Sequence, residues 1–144
     1  MNFTVKDILQ IEVAPALGCT EPVAIALGAA AAASVLKSKT FDKIEILVDP
    51  NIYKNGLAVS IPGAGGLSGL DLAAALGALD GNPELRMEVL DPITDTTVEK
   101  ARQMVAEGRV RVSYLEESGG LYIKSVITSG SDTAETVIRD MHDN

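Results

Sequence analysis

Five consecutive alanines, Ala29 to Ala33, sit inside a longer apolar run from Val23 to Leu36. This run limits the folds open to the chain. Alanine has the highest helix propensity, so the stretch from Val23 to about Lys37 predicts a helix. It is apolar on every side, which predicts burial. It also has little bulk on any face, so a neighbouring helix or sheet must approach very closely. Half of the run is alanine, and it falls short of the ~20 residues that span a bilayer. The rest of the composition agrees with a core of small side chains. Hydrophobic residues make up 47% of 144 residues while aromatics make up 3%, with no Trp. Enough apolar surface is present for one packed domain, but not the aromatic platforms on which single-stranded nucleic acid stacks. A formal net charge of −8 repels phosphate backbones and argues against a nucleic-acid partner.

The single cysteine excludes an intramolecular disulfide and reads as cytoplasmic. One Cys and one His also exclude a self-contained zinc or iron–sulfur site, which takes several such ligands. Met1 to Lys6 carry no signal-peptide pattern.

Along the chain, Thr4 is positioned to cap a helix from Val5 to about Val13, with Val5, Ile8, Ile11 and Leu9 towards one face. Pro15 and Gly18 break it. Thr20 is an N-cap for the alanine-rich helix, and Glu21 and Pro22 suit its first turn. Lys43–Val48 and Leu57–Ile61 read as strands, separated by a polar turn in which Asn55-Gly56 is a hairpin signal. Leu67–Leu79 reads as a second alanine-rich helix. A short helix follows Pro83, and Thr94 or Asp95 caps another that runs to Glu107 before Gly108. Val110–Glu116, Leu121–Ser129 and Ala134–Asp140 complete a three-strand meander. The expectation is one α+β domain over residues 1–144, an antiparallel sheet with helices on one face, cut from a longer polypeptide.

Three places invite chemistry, each with a plainer structural reading. Cys19 precedes a helix start, where backbone N–H groups favour thiolate and so a nucleophile or metal ligand; a lone cysteine is more often a small buried hydrophobe. Gly63, Gly65 and Gly66 lie between a strand and a helix and suit either a tight turn or a backbone cradle for an anion. Their spacing fits neither the dinucleotide fingerprint nor the P-loop. Lys54 with Asn51 and Asn55 suits either a turn or recognition of a carboxylate. His142 near the chain end and Glu116 with Glu117 read most simply as solvated groups.

The string Glu12-Val13-Ala14-Pro15-Ala16-Leu17-Gly18-Cys19-Thr20-Glu21-Pro22 resembles the opening of the L-cysteine desulfidase family, also grouped as serine-dehydratase-like. Asp49-Pro50-Asn51-Ile52-Tyr53-Lys54-Asn55-Gly56, Leu76-Gly77-Ala78-Leu79 and Ile138-Arg139-Asp140 carry the resemblance along the chain. The layout also resembles the small substrate-side domain of iron–sulfur serine dehydratases. The resemblance implies a lyase that eliminates sulfide or water, with ammonia, from L-cysteine or L-serine to give pyruvate. It implies that Cys19 is one ligand of a [4Fe–4S] cluster whose other cysteines come from a downstream segment or second subunit. By the same resemblance Thr20 orients substrate, and Asn51, Lys54, Asn55 and the backbone of Gly63, Gly65 and Gly66 hold its carboxylate. The expectation beside it is a non-catalytic amino-acid-binding or regulatory module. A segment cut from a longer chain is also expected to self-associate through the apolar surface left uncovered.

Overall fold

The computed structural model describes residues 6–13, 21–38, 40–56, 59–116 and 120–140. Its elements are β1 (Lys6–Val13), α1 (Glu21–Ser34), β2 (Lys43–Val48), α2 (Pro50–Gly56), α3 (Leu70–Asp80), a 3-10 helix (Pro83–Glu88), α4 (Asp95–Ala106), β3 (Val110–Tyr114), β4 (Tyr122–Ser129) and β5 (Asp132–Asp140). The fold is α+β, as the alternation of segments predicts, with helices packed on one face of a sheet.

The sheet has five strands in the order β1-β5-β4-β2-β3. It is mixed, where the sequence predicts a wholly antiparallel one. The antiparallel pairs are β4 with β2 and β4 with β5, whereas β1 joins β5 and β3 joins β2 in parallel. The expected meander is therefore broken. β4 and β5 form the predicted hairpin through Gly130, but β2 lies between β3 and β4. A tight turn cannot join β3 to β4 across an intervening strand.

Lys6–Val13 is a strand and not the expected helix. Val5, Ile8 and Ile11 fit the helical spacing, but Leu9, Ile11 and Val13 also alternate at the strand period of two. The register with β5, from Lys6 opposite Thr133 to Val13 opposite Asp140, satisfies the ladder throughout. The strand expected over 57–61 reduces to a single bridge between Ser60 and Ser68, with 57 and 58 outside the described residues.

Ile44, Ile46 and Val48 of β2, Ile123 and Ile127 of β4, and Ala134 and Ile138 of β5 are buried on the helix-covered face. α1 packs on β4 and β5, α3 on β2 and β3, and α4 on α3. The alanine-rich helices permit the close approach that the composition predicts. At Gly77, a Cβ would meet the carbonyl oxygen of Ala26 and stand 2.7 Å from its Cα. A Cβ at Gly81, just past the end of α3, would stand 3.1 Å from the Ala30 Cβ, four residues on from the Gly77–Ala26 contact in both segments, so α1 and α3 run parallel.

α4 starts with a reciprocal cap. The Thr94 hydroxyl accepts the Thr97 N–H, and the Thr97 hydroxyl accepts the Thr94 N–H at 3.0 Å. Thr97 also donates to Asp80 at the end of α3, which ties the two helices together.

On the other face of the sheet, Lys124 and Glu135 form an ion pair at 3.0 Å across β4 and β5. The Glu135 carboxylate raises the Lys124 pKa above 10.5, first through the hydrogen bond and then through charge. A raised lysine pKa stabilises the fold fully below 10.5 and loses that contribution as pH climbs through the folded-state value. Lys124→Met is therefore expected to melt lower than the wild type at neutral pH, with the gap closing at strongly alkaline pH. Thermal melts from about pH 8 to about pH 12 test this; a gap that stays constant across the range would sink it.

Candidate functional site

β2 and β3 run parallel and end together, Val48 opposite Tyr114. β4 begins at the same end of the sheet, with Ile123 opposite Val48. The carboxyl ends of parallel strands are where α/β sheets usually carry ligands, because the chain turns away there and exposes polar groups. In this protein the chain turns directly into α2.

Asp49 makes that turn. It is 3% exposed. One carboxylate oxygen accepts the Ile52 N–H at 2.9 Å, capping α2. The other accepts the Tyr122 N–H at 2.8 Å, at the start of β4. The Asp49 N–H in turn donates to the Tyr122 carbonyl at 3.0 Å. Pro50 follows at the first helical position, where a missing N–H costs nothing. Asn51–Gly56 is thus a helix and not the hairpin turn that Asn55-Gly56 predicts. A side-chain cap and Pro50 outweigh the turn preference of two residues.

Helical geometry sorts these residues. Ile52 and Gly56, four apart, are buried. Asn51, Lys54 and Asn55, at positions i, i+3 and i+4, are exposed and share one face. Among the described residues Lys54 makes no ion pair. The face therefore offers one ammonium and two amides, the donor set that a carboxylate accepts from. Tyr53, half-buried between the two faces, packs its ring on Tyr114 with centroids 4.6 Å apart. Tyr114 is 53% exposed, in a chain with few aromatics.

The glycine run, expected as either a tight turn or an anion cradle, forms a closed turn. Gly63, Gly65 and Gly66 all have positive φ, at 83°, 66° and 91°. The turn is closed by Ala64 N–H to Ile61 O at 3.1 Å and Ile61 N–H to Leu67 O at 2.9 Å. Three residues separate it from α3, which starts at Leu70 and not at Leu67. The start of α3 already holds a carboxylate, for Asp71 accepts the Leu72 N–H at 2.8 Å. Gly63 backs onto Ile93, while nothing lies within 4 Å of a Cβ built on Gly65 or Gly66. Among the described residues no hydrogen bond or ion pair joins this turn to Asn51, Lys54 or Asn55. Cys19, Thr20 and His142 lie outside the described residues.

A cleft of about 400 Å³ lies elsewhere, between the end of α3 and the start of α4, lined by Asp80, Gly81, Thr94, Thr96, Thr97 and Lys100. Its Thr94, Thr97 and Asp80 groups are spent on one another, while Lys100 makes no ion pair among the described residues. Among the described residues no three His, Cys, Asp or Glu side chains stand close enough to hold a metal ion. With one cysteine in the chain, these residues do not complete a [4Fe–4S] cluster, which takes four ligands. No helix of the described residues is long and apolar enough to cross a membrane.

The spacing of Asn51, Lys54 and Asn55 was legible as a set of residue types. Asp49, Tyr53 and Tyr114 were not singled out. Asp-Pro ahead of an exposed polar stretch was the available signal, since Asp caps helices and Pro starts them.

The chain is 59% identical, over 100% of its length, to a UPF0597 protein of Desulforapulum autotrophicum. It is 55% identical over 100% of its length to one of Desulfatibacillum aliphaticivorans. A third such protein, of Geobacter sulfurreducens, is 44% identical over 96% of the chain. The similarity is to part of a UPF0597 protein. The chain spans about a third of the length of these curated relatives. This corrects the resemblance drawn from the strings at 12–22, 49–56, 76–79 and 138–140: these relatives, matched across the whole chain, are UPF0597 proteins, and the L-cysteine desulfidase or iron–sulfur serine dehydratase-like family is not indicated. The short motifs that carried that resemblance include several Gly, Pro and Asn residues, which turns and helix ends select on geometric grounds alone. No family model matches the chain. No solved structure matches it either.

Proposed function

We propose that this chain is a binding module of a longer protein and takes a small carboxylate-bearing metabolite, an amino acid, on the exposed face of α2. The observation that carries this reading is the convergence of Asn51, Lys54 and Asn55 on one helical face. Lys54 supplies the charge complement to a carboxylate, and the two amides supply directed donors that fix its orientation. The Tyr53–Tyr114 pair supplies an apolar wall at the same end of the sheet. Gly63, Gly65 and Gly66 have a weaker claim, because Asp71 occupies the helix start behind them.

The test is calorimetric titration of the chain with L-serine and L-cysteine, and with ethanolamine, which lacks the carboxylate. Lys54→Gln is expected to weaken amino-acid binding at least tenfold, about 1.4 kcal/mol, and ethanolamine is expected not to bind. A wild-type chain that binds neither amino acid, or a Lys54→Gln variant that binds as tightly, ends the reading.

A larger reading rests on the same face: the longer protein uses this module to present L-cysteine or L-serine for β-elimination. Support comes from length alone, since two thirds of each relative lies outside the match and leaves room for reactive groups. In that setting Cys19 would add one thiolate to a cluster whose other ligands lie elsewhere, and Thr20 would orient the substrate beside it. Pyruvate release by a protein of the relatives' full length separates elimination from simple binding.

A further inference from the structure

We infer that Asp49 is a positioning residue that couples the ligand-binding face of α2 to the start of β4, an inference that rests on the α2 reading above. The argument begins with burial. A carboxylate at 3% exposure is costly unless its oxygens are satisfied. Asp49 has no cationic partner among the described residues. Both of its oxygens are spent on backbone N–H groups, of Ile52 and of Tyr122, 73 residues away in sequence from Asp49. Charge-assisted bonds of this kind are among the stronger ones in a protein.

The geometry extends the β2–β4 ladder by one more pair. Asp49 N–H donates to the Tyr122 carbonyl, and where a backbone carbonyl would normally accept the return bond, the Asp49 side chain does so. The same side chain fixes the first turn of α2. Tyr53 N–H also closes on the Asp49 carbonyl at 3.1 Å. Asn51, Lys54 and Asn55 therefore take their orientation from one residue that is itself anchored to β4. A helix of 7 residues has too few internal hydrogen bonds to hold that orientation alone. A ligand that pulls on Lys54 and Asn55 pulls on the Ile52 N–H, and through the carboxylate on Tyr122.

The experiment titrates the chain with L-serine and follows the backbone amide resonances of Asn55 and Tyr122. In the wild type both are expected to shift with the same apparent Kd. In Asp49→Asn one oxygen is replaced by an NH2 group facing a backbone N–H. There the Kd is expected to rise at least tenfold and the Tyr122 response to vanish. Ala101→Gly, in α4 and away from the site, is the control for lost stability and is expected to leave the Kd unchanged. A wild type that binds at Asn55 with Tyr122 silent overturns the coupling while leaving the binding face intact. So does an Asp49→Asn variant that binds as tightly and still shifts Tyr122. A wild type with no shift at Asn55 overturns both readings. If Asp49→Asn does not fold, the wild-type Tyr122 response alone decides the question.

Discussion

Gly77→Ala is expected to destabilise the fold by about 3 kcal/mol and to lower Tm by roughly 10 °C. Two effects oppose each other at this position, so the sign is informative. Gly77 sits inside α3, where alanine would normally gain about 1 kcal/mol from helix propensity. Packing argues the other way. The added Cβ would stand 2.7 Å from the Cα and 2.8 Å from the carbonyl carbon of Ala26. These are backbone atoms of α1, not the end of a side chain that can swing aside. α1 and α3 must separate, and separation opens gaps along both buried alanine-rich faces, where each lost contact counts. Domains of this size are stable by only about 5–15 kcal/mol, so a loss of this order is readily seen in a thermal or urea melt. A Gly77→Ala variant that melts at or above the wild type would mean that propensity wins and that the helices are not in backbone contact.

Ser125→Ala is expected to stabilise the fold by about 1 kcal/mol, and Gly28→Ala to be tolerated only in its presence. Ser125 is fully buried on β4, and its hydroxyl has no hydrogen-bond partner among the described residues. A buried donor without a partner costs more than its removal. The same hydroxyl blocks α1, because a Cβ on Gly28 would stand 2.9 Å from it. The next neighbours, Ile138 Cδ1 at 3.3 Å and Thr136 Oγ1 at 3.6 Å, are less crowded. Thr136 is held in place by donating to the Gly28 carbonyl at 2.8 Å. Removing the Ser125 hydroxyl opens the space that an alanine at 28 needs, and the helix-propensity gain of about 0.5–1 kcal/mol then appears. Urea unfolding of the two single variants and the double variant measures the coupling. Additivity within about 0.5 kcal/mol would show that the hydroxyl and the helix do not compete for this space.

The fold class was legible in the sequence because it depends on short-range patterns. The Ala29–Ala33 run reads as a buried helix from propensity and all-round apolarity, and the structure places it as α1 against the sheet. Thr94 or Asp95 reads as a helix cap because an oxygen ahead of an amphipathic stretch satisfies orphan N–H groups, and the structure gives that place to Thr94, through Thr97. Lys43–Val48 and the β4–β5 hairpin read from β-branched runs and a glycine turn. Lys6–Val13 was misread because eight residues with apolar groups at several spacings satisfy both periods, and the partner that decides between them is β5, more than a hundred residues away.

The candidate site divides along the same line. The sequence by itself determined which chemistry is available: one lysine flanked by two asparagines, an acidic chain and a single cysteine. It also determined that the core would be made of small side chains. Only the tertiary structure decided that Asn51, Lys54 and Asn55 share a helical face, that β2 separates β3 from β4, and that Gly77 lies on Ala26. The physical reason is distance along the chain. Helix propensity and capping are settled by neighbours within one turn. The Asp49 side chain that makes α2 a helix is also fixed by the Tyr122 N–H at the start of β4. Such an interaction exists only once the strands have paired.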